Sequence, residues 1–361
     1  MANINEQAAQ SLQTSKVIIA VNTPDGVGYF VDNEGRFLFK KQFEEVSKFT
    51  EGLACVEQNG KIGFINTQGE VVIPCIYDWT VGWFSEGLAS VELNGKRGFI
   101  NTKGEVVVPC MYDEADWFSE GFAPISQNDK WGYINTQGEM VIPCIYDNAV
   151  SFSEGLALVE QNGKWGFINT KGEVIAPCIY DDAENFYEGL ARVKQNSKYG
   201  YINTQGEVVA PCIYDNAVSF SEGLTRVKQN DKWGFINTKG EGVVPCIYDY
   251  AGDFSEGLAR VQQNGKWGFI NTKGEVVVPC IYDGVGDFSE GLAAVNPGGK
   301  SGYINTQGEV VVPCIYDAAW PFSDGLAKVL QNDKWSIINT QGKVMVAECV
   351  RASTSWSKVE M

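Results

Sequence analysis

A glycine returns every 34 or 35 residues along most of the chain, and at four of these places it follows a tryptophan. One copy of the surrounding unit reads KWGFINTKGEVIAPCIYDDAENFYEGLARVKQN and spans residues 164–196. Self-similarity at a fixed period of this length is typical of repeat proteins. The 361 residues are therefore predicted to form one quasi-linear array rather than roughly two or three separate domains. The glycine occupies Gly28, Gly63, Gly98, Gly132, Gly166, Gly200, Gly234, Gly268 and Gly302, and Ser336 takes the next position.

Each unit is predicted to form three antiparallel strands. The first is of the GLARVKQ type at residues 189–195, the second is WGFIN or WGYIN, and the third is EVVVPC. Pairs such as Asn162-Gly163 favour a type I′ hairpin between the first two strands, because both turn residues need a positive φ. The proline of the third strand cannot donate a ladder hydrogen bond. That strand is therefore expected to end at the proline or to lie at a sheet edge.

The expected fold is all-β, with about ten three-stranded antiparallel meander units packed face to face in an open superhelical, solenoid-like array. One open sheet rarely exceeds about ten strands, so the connection from Tyr-Asp to Phe-Ser-Glu-Gly is expected to break the sheet once per unit. A closed β-propeller-like ring is the alternative. The single array is expected at residues 16–350, after a disordered N-terminal segment at residues 1–15 and before a C-terminal tail at residues 351–361.

Several recurring motifs carry a resemblance to a known family. Lys-Trp-Gly-Phe-Ile-Asn, the Gly-Glu-Val-Val-Val-Pro ending, Tyr-Asp and Phe-Ser-Glu-Gly-Leu-Ala recur in register over residues 17–348. They resemble the WG (KWG) repeat family of bacterial proteins. The resemblance implies a β-repeat array with no established catalytic activity, and it suggests a recognition role by analogy. The chain departs from the pattern at Val27, Ile62, Arg97, Tyr199 and Ser301 in the tryptophan position, and at Ser336 in the glycine position.

Charge and hydropathy restrict the partners and the compartment. The net charge is −17 and the pI is about 4.5. A strongly acidic protein repels phosphate backbones, so a nucleic acid partner is not expected. The sequence has no apolar run of about 18 residues and no basic, apolar leader at Met1. We expect a cytoplasmic protein that does not bind a membrane.

The cysteines recur with the repeat and are expected to be structural. Their even number would allow disulfides, but equivalent positions in successive units would have to approach within about 7 Å at Cα. The sequence has no CxxC pair and no histidine to complete a mixed zinc site. We therefore expect partly buried thiols, no metal and no cofactor. Eight cysteines share one repeat position, and two lie elsewhere: Cys75, Cys110, Cys144, Cys178, Cys212, Cys246, Cys280 and Cys314, then Cys55 and Cys349.

No catalytic residue is predicted. Without histidine, Ser-His-Asp and Cys-His catalysis are excluded. A carboxylate pair for glycoside hydrolysis is conceivable, but an active site needs a singular constellation. The aspartate after the Tyr and the glutamate of Ser-Glu-Gly recur in almost every unit, so both are expected to be structural. They are Asp78, Asp113, Asp147, Asp181, Asp215, Asp249, Asp283 and Asp317, and Glu86, Glu120, Glu154, Glu188, Glu222, Glu256 and Glu290.

Two variable columns supply candidate partner-binding residues. Five aromatic residues lie between the Tyr-Asp and the Phe of a unit, where the repeat does not require them; the alternative is that they pack locally. Basic residues two apart in the first strand share a face and predict a basic stripe, for which the alternative is a solvated face that prevents edge pairing. The aromatic residues are Trp79, Trp83, Trp117, Tyr250 and Trp320, and the basic ones are Arg192, Lys194, Arg226, Lys228 and Arg260.

The sequence thus favours a non-enzymatic scaffold that binds another protein through the variable loops and the basic stripe. One alternative is a structural protein that self-assembles into a homo-oligomer through its repeat ends. The other is a carbohydrate-binding module that uses the loop aromatics.

Overall fold

The computed structural model describes residues 18–349, apart from residues 25, 33, 40, 41, 81 and 82. The N-terminal segment expected to be disordered, residues 1–15, and the C-terminal tail, residues 351–361, lie outside this range. The chain divides into two compact parts, Met1–Ile179 and Tyr180–Met361. In the described part of the chain, no helix is long and apolar enough to cross a bilayer.

The described regular structure is all β, as the sequence predicted. Strands β1 (Ile19–Asn22) and β2 (Gly28–Val31) form a two-stranded sheet, and nine four-stranded antiparallel sheets follow. Sheets 1 to 4 contain β3–β6 (Glu45–Val46, Leu53–Gln58, Lys61–Asn66, Val71–Tyr77), β7–β10 (Trp79–Thr80, Leu88–Leu93, Lys96–Asn101, Val106–Tyr112), β11–β14 (Glu114–Ala115, Phe122–Gln127, Lys130–Asn135, Met140–Tyr146) and β15–β18 (Asn148–Ala149, Leu156–Gln161, Lys164–Asn169, Val174–Tyr180).

Sheets 5 to 9 have the same composition, and strand order follows chain order in each. They contain β19–β22 (Asp182–Ala183, Leu190–Gln195, Lys198–Asn203, Val208–Tyr214), β23–β26 (Asn216–Ala217, Leu224–Gln229, Lys232–Asn237, Gly242–Tyr248), β27–β30 (Tyr250–Ala251, Leu258–Gln263, Lys266–Asn271, Val276–Tyr282), β31–β34 (Gly284–Val285, Leu292–Asn296, Ser301–Asn305, Val310–Tyr316) and β35–β38 (Ala318–Ala319, Leu326–Gln331, Lys334–Asn339, Val344–Cys349).

The prediction of three strands per unit needs correction, because each of these sheets has four. The additional strand has two residues and lies in the connection after Tyr-Asp. In sheet 3 it pairs Glu114 with Ser126 and Ala115 with Ile125. Two residues are too few to show strand periodicity, so this strand could not be recognised from residue patterns. The sheet therefore breaks at the Tyr-Asp pair and not across the whole connection.

The last strand of each regular sheet runs through its proline and lies at the sheet edge. In sheet 3 the register shifts at this point: Tyr133 pairs with Ile142, and Trp131 pairs with Tyr146. The edge strand thus carries two more residues than its neighbour over this interval and bulges at Pro143 and the cysteine that follows. At a sheet edge the proline can lack an N–H without breaking a ladder hydrogen bond, so the strand does not have to end there.

The bulge explains the recurring glycine. A Cβ atom on Gly132 would lie 2.4 Å from the carbonyl oxygen of Ile142 and 2.7 Å from the amide nitrogen of Cys144. Those distances are impossible for a side-chain carbon facing backbone. Sheet 9 has Ser336 at this position, and its last strand has Ala and Glu in place of Pro-Cys. Its bulge is also one residue shorter, since Ile337 pairs with Val346 and Trp335 with Cys349.

Two tight hairpin turns recur along the sheets, and only in sheet 8 is the first replaced, by Pro-Gly-Gly, among the nine four-stranded sheets. The predicted type I′ turn is confirmed, with φ of 56° at Asn162 and 72° at Gly163. The second was not foreseen: the Glu-Gly of Ser-Glu-Gly-Leu has the same geometry, with φ of 54° at Glu120 and 83° at Gly121. The residues on either side of this turn, Ser119 and Phe122, exchange both backbone hydrogen bonds.

The core lies between successive sheets. At seven places the phenylalanine before the Ser-Glu-Gly or Ser-Asp-Gly turn packs against the Phe or Tyr that follows the WG glycine in the preceding sheet. We call this contact the aromatic clamp. It joins buried rings in edge-on or tilted geometry, which is the favoured arrangement for aromatic pairs. The ring centroids are 4.8 to 5.0 Å apart in Phe64–Phe84, Phe99–Phe118, Tyr133–Phe152, Tyr201–Phe220, Phe235–Phe254, Phe269–Phe288 and Tyr303–Phe322.

Candidate binding surface

Three exposed tryptophans lie on two successive sheets of the first compact part. Trp79 begins the short strand of sheet 2, and Trp83 and Trp117 directly precede the clamp phenylalanines of sheets 2 and 3. Their exposed fractions are 37%, 43% and 42%. The rings of Trp83 and Trp117 lie 6.1 Å apart with their planes inclined by 47°. We call Trp79, Trp83 and Trp117 the tryptophan surface.

The position of Trp83 and Trp117 explains their exposure. The next residue in each case is a clamp phenylalanine, Phe84 or Phe118, whose ring is buried against the preceding sheet. Consecutive side chains in extended chain point to opposite sides, so the residue before the clamp faces outward. Other units have small or polar residues at the same place: Ser151, Asn185, Ser219, Asp253, Asp287 and Pro321.

Trp79 is held in place by Arg97. The guanidinium lies 4.1 Å from the centroid of the indole ring, within the range of a cation–π contact. Arg97 occupies the tryptophan position of its own unit and also forms an ion pair of 2.6 Å with Glu114 of sheet 3. One face of Trp79 is therefore covered, and more than a third of the side chain stays exposed.

The other two candidate aromatics, Tyr250 and Trp320, lie in the second compact part and each packs on a strand tryptophan. Tyr250 is half-buried and meets Trp267 edge-on at 5.3 Å. Trp320 meets Trp335 at 4.8 Å, and 44% of its surface remains exposed. Local packing thus explains the presence of Tyr250, whereas it covers only part of the Trp320 side chain.

The three candidate arginines connect neighbouring sheets. Arg226 donates a hydrogen bond of 2.6 Å to the carbonyl of Ala251 and forms an ion pair of 3.1 Å with Asp253, both in sheet 7. Its guanidinium also lies 5.3 Å from the Trp233 ring. The other two arginines repeat the pattern: Arg192 contacts the Ala217 carbonyl and Glu184, and Arg260 pairs with Asp287 at 3.1 Å.

The two candidate lysines are also engaged. Lys194 lies 5.1 Å from the centroid of Tyr199, and Lys228 forms an ion pair of 3.1 Å with Asp231. The predicted stripe is thus largely neutralised within the chain, because each of its arginines has an acidic partner. Binding of a partner by these residues stays a prediction, and less free positive charge is present than the sequence suggested.

Comparison with known sequences places the repeat in a family. The family described as WG containing repeat matches nine segments, at residues 30–61, 62–96, 98–131, 131–165, 165–199, 199–233, 233–267, 267–300 and 302–335. The chain belongs to this WG repeat family. The resemblance found in the sequence is confirmed. No curated protein sequence matches the chain.

Solved structures match this WG repeat protein at low similarity. A crystal structure of a eukaryotic initiation factor matches with a TM-score of 0.37 and 12% identity, over 83% of this chain and 96% of that one. PorZ, a surface component of the type-IX secretion system of Porphyromonas gingivalis, matches at 0.27 and 9%, over 93% of this chain and 59% of its own. Hsv2p of Kluyveromyces lactis matches at 0.33 and 9%, over 62% and 92%. At these TM-scores the likenesses say nothing about sheet arrangement or function.

The recurring glutamate of the WG repeat connects successive Ser-Glu-Gly turns. The carboxylate of Glu86 accepts a hydrogen bond of 2.9 Å from the amide of Gly121 in the next unit. Glu256 accepts two, from Glu290 at 2.7 Å and Gly291 at 2.8 Å. This bridging contact explains why the same glutamate recurs, and it supports a structural role.

The recurring aspartate connects two hairpins. The carboxylate of Asp113 accepts hydrogen bonds from the ammonium of Lys96 and, at 2.9 Å, from the amide of Asn128. The Lys96 bond, followed by the Asn128 amide, lowers the pKa of Asp113 below its ordinary value of 3.8. The pKa values of five further members are lowered by the equivalent lysine: Asp78, Asp147, Asp215, Asp249 and Asp317.

These lowered pKa values predict how stability changes with pH. A carboxyl whose pKa is lower in the folded chain contributes stability above its unfolded pKa and loses it as pH falls through the folded pKa. We expect the urea midpoint to be constant from about pH 7 to pH 5 and to fall below about pH 4. Circular dichroism during urea titrations measures this midpoint. An unchanged midpoint at about pH 3 would contradict the role of the Asp–Lys pairs. Adding 1 M salt at neutral pH should also lower the urea midpoint, because salt screens these pairs.

The cysteines of the WG repeat are half-buried, as the sequence predicted. Cys144 lies against the core of the preceding interface, and its thiol faces the carbonyl of Ile125 at 3.9 Å. Burial raises the pKa of this thiol. The nine cysteines whose state is described form no disulfide, and within the described residues no group of three acidic, cysteine or histidine side chains could hold a metal ion.

One cavity in the described part of the chain is an apolar groove of about 450 Å³ between sheets 1 and 2. Ile76, Val91, Leu93, Val106 and Cys110 are among its lining residues. Lys96 is the charged residue of the lining, and its ammonium is bound to Asp113. The groove therefore has the character of a gap between stacked sheets and lacks a set of reactive groups.

Proposed function

We propose that this WG repeat protein is a non-enzymatic, cytoplasmic scaffold that binds another protein through the tryptophan surface. The observation that carries the proposal is the exposure of Trp79, Trp83 and Trp117, each at 37% or more, on a frame in which equivalent positions are mostly small or polar. Tryptophan is the residue type most enriched among side chains that dominate binding energy.

The surface also has the rigidity that makes binding efficient. Trp79 is fixed by Arg97, and Trp83 and Trp117 support each other at 6.1 Å. Side chains already held in one arrangement lose little conformational entropy when a partner covers them. The acidic residues Glu92 and Glu114 beside Arg97 favour a partner segment that combines apolar and basic side chains.

The test compares partner capture by the purified chain and by its Trp79→Ala, Trp83→Ala, Trp117→Ala triple variant. We expect the triple variant to remain folded and to lose at least about 2 kcal/mol of binding free energy, roughly 30-fold in Kd, for a reconstituted partner. Tyr187→Ala is the matched control, because Tyr187 is an exposed aromatic (60%) in a different unit. Equal affinity of wild type and triple variant would contradict the proposal.

A carbohydrate ligand is the second candidate, since exposed indole faces also stack on sugar rings. Affinity electrophoresis through gels that contain mixed polysaccharides tests it: retarded migration that the triple variant abolishes would favour a glycan over a protein.

The stacking of units into an open superhelix, rather than a closed ring, stays a prediction. Small-angle X-ray scattering would distinguish the two shapes. Self-assembly through the repeat ends also stays a prediction, which light scattering at rising concentration tests.

A further inference from the structure

The apolar groove between sheets 1 and 2 lies where the chain departs from its own repeat. Ile62 holds the position that is tryptophan in five of the other eight four-stranded sheets. Ile62 pairs with Tyr77, so both side chains lie on the same face of sheet 1. Tyr77 lines the groove, and Ile62 packs on the same apolar cluster as Leu93 and Cys110 of sheet 2. Position 62 is therefore beside the groove.

The equivalent space in other interfaces holds an indole ring. Trp131 packs on the cluster between sheets 3 and 4, and so does Cys178, the counterpart of Cys110. Trp233 and Trp267 pack in the same way on the clusters between sheets 6 and 7 and between sheets 7 and 8. An isoleucine in this position has less apolar volume than an indole. The groove of about 450 Å³ lies where that volume is missing.

Leu93 makes the groove more apolar than the repeat requires. The charge of the lining residue Lys96 is already neutralised, because its ammonium binds the carboxylate of Asp113. The backbone amide of Asn94 donates a hydrogen bond of 2.8 Å to Asp78. The groove therefore favours an uncharged, apolar ligand. Seven other sheets have glutamine at the position of Leu93: Gln58, Gln127, Gln161, Gln195, Gln229, Gln263 and Gln331.

We propose that this groove binds a small, flat aromatic molecule of the indole class. The chain itself shows the fit, because its own indole rings pack at the equivalent place in other interfaces. The volume of about 450 Å³ lies within the range of small-molecule sites, which are mostly apolar with a few polar groups.

This inference is independent of the proposed protein binding. Val91 and Leu93 pack toward sheet 1, in the cluster that adjoins the groove. Glu92 lies between them and pairs with Trp79, so these two side chains lie on the opposite face of sheet 2. The groove and Trp79 are therefore separated by the sheet itself, and each can be tested without the other.

Titration of the full chain with indole, followed by methyl NMR, tests the proposal. We expect saturable shifts at Val91 and Leu93 with a Kd of about 1 mM or tighter, and none at Val295, the counterpart of Val91 in sheet 8. Cyclohexanol should bind at least about fivefold more weakly, because it lacks a flat aromatic ring. Absence of saturation near the solubility limit of indole would overturn the proposal, and equal affinity for cyclohexanol would overturn the aromatic class.

A comparison with N-acetyltryptophanamide separates a free molecule from the tryptophan side chain of a partner. Its two amide groups would lose water without finding free polar groups in the groove, so it should bind at least about threefold more weakly than indole. Tighter binding of N-acetyltryptophanamide would overturn the assignment to a small molecule and point to a partner's side chain.

Two variants that restore the repeat locate the site. Ile62→Trp supplies the chain's own indole and should weaken indole binding at least about tenfold. Leu93→Gln changes polarity with little change in volume and should weaken it about threefold or more. Tyr199→Trp is the matched control, since it makes the same change to tryptophan in sheet 5 and should stay within about twofold of wild type. Unchanged affinity in Leu93→Gln, or in a folded Ile62→Trp, would overturn the proposal.

Discussion

Replacing Phe288 with alanine is expected to lower the free energy of unfolding by about 3–5 kcal/mol, the range for a buried phenylalanine. Phe288 is 4% exposed and its ring meets Phe269 of the preceding sheet at 4.8 Å. The same cluster contains Leu258, Val278 and Ile304, which would line the resulting cavity. The clamp is thus part of the apolar core between sheets 7 and 8.

The effect should also be local, because each unit of a repeat array contacts only its neighbours. We expect urea unfolding of the variant, followed by tryptophan fluorescence, to show two transitions. We also expect hydrogen exchange in Leu292–Asn296 to accelerate. Phe288→Leu should lose only about 1–2 kcal/mol. Ile281→Ala is the matched control: Ile281 is 55% exposed, so we expect a change within about 0.5 kcal/mol. A loss for Phe288→Ala no larger than for Ile281→Ala would contradict the role of the clamp.

Gly234→Ala is expected to destabilise the second compact part by about 2–3 kcal/mol, although it adds only one methyl group. The new Cβ would lie 2.4 Å from the carbonyl oxygen of Val244 and 2.7 Å from the amide nitrogen of Cys246. Both atoms belong to the backbone of the bulged edge strand, so relief requires the bulge itself to move. The loss therefore comes from steric strain, since the φ of Gly234 is not in the left-handed region.

The same sheet provides the control. Gly242 begins the edge strand, is exposed, and has no atom within 4 Å of an added Cβ. Other units have valine at this position, for example Val208 and Val276. Gly242→Ala should therefore leave stability unchanged or raise it by about 0.5–1 kcal/mol, because glycine weakens a strand. Thermal unfolding followed by circular dichroism compares the two variants, and equal midpoints would contradict the steric explanation.

The hairpins show how far local sequence could predict this fold. Asn162-Gly163 was recognised as a type I′ turn because asparagine and glycine tolerate a positive φ. The turn at Glu120-Gly121 has the same geometry and was not recognised, because glutamate rarely adopts a positive φ. That glutamate is held in place by contacts with the neighbouring units, as in the hydrogen bond from Gly155 to its carboxylate at 2.8 Å. Such a contact is not encoded in the turn itself.

The exposure of the candidate tryptophans could be predicted from the sequence, but the pairing of the candidate arginines could not. Trp83 and Trp117 precede a clamp phenylalanine, and period-2 alternation suffices to place them outside. Arg192 and Arg226 looked free because their acidic and carbonyl partners, such as Asp253 and Ala217, lie in other strands or in the next unit. Spacing within one strand carries no information about such a partner.

The sequence alone determined the repeat, its period, the all-β class and the WG family, since each follows from residue patterns that recur in register. Only the tertiary structure decided the fourth strand, the bulge that excludes a side chain at the WG glycine, and the pairing of the arginines. The physical reason is distance along the chain. Turn and strand preferences act between adjacent residues. These features depend instead on groups that are 8 to 35 residues apart and meet only when the sheets form and stack, as in Arg192–Glu184 and Glu120–Gly155.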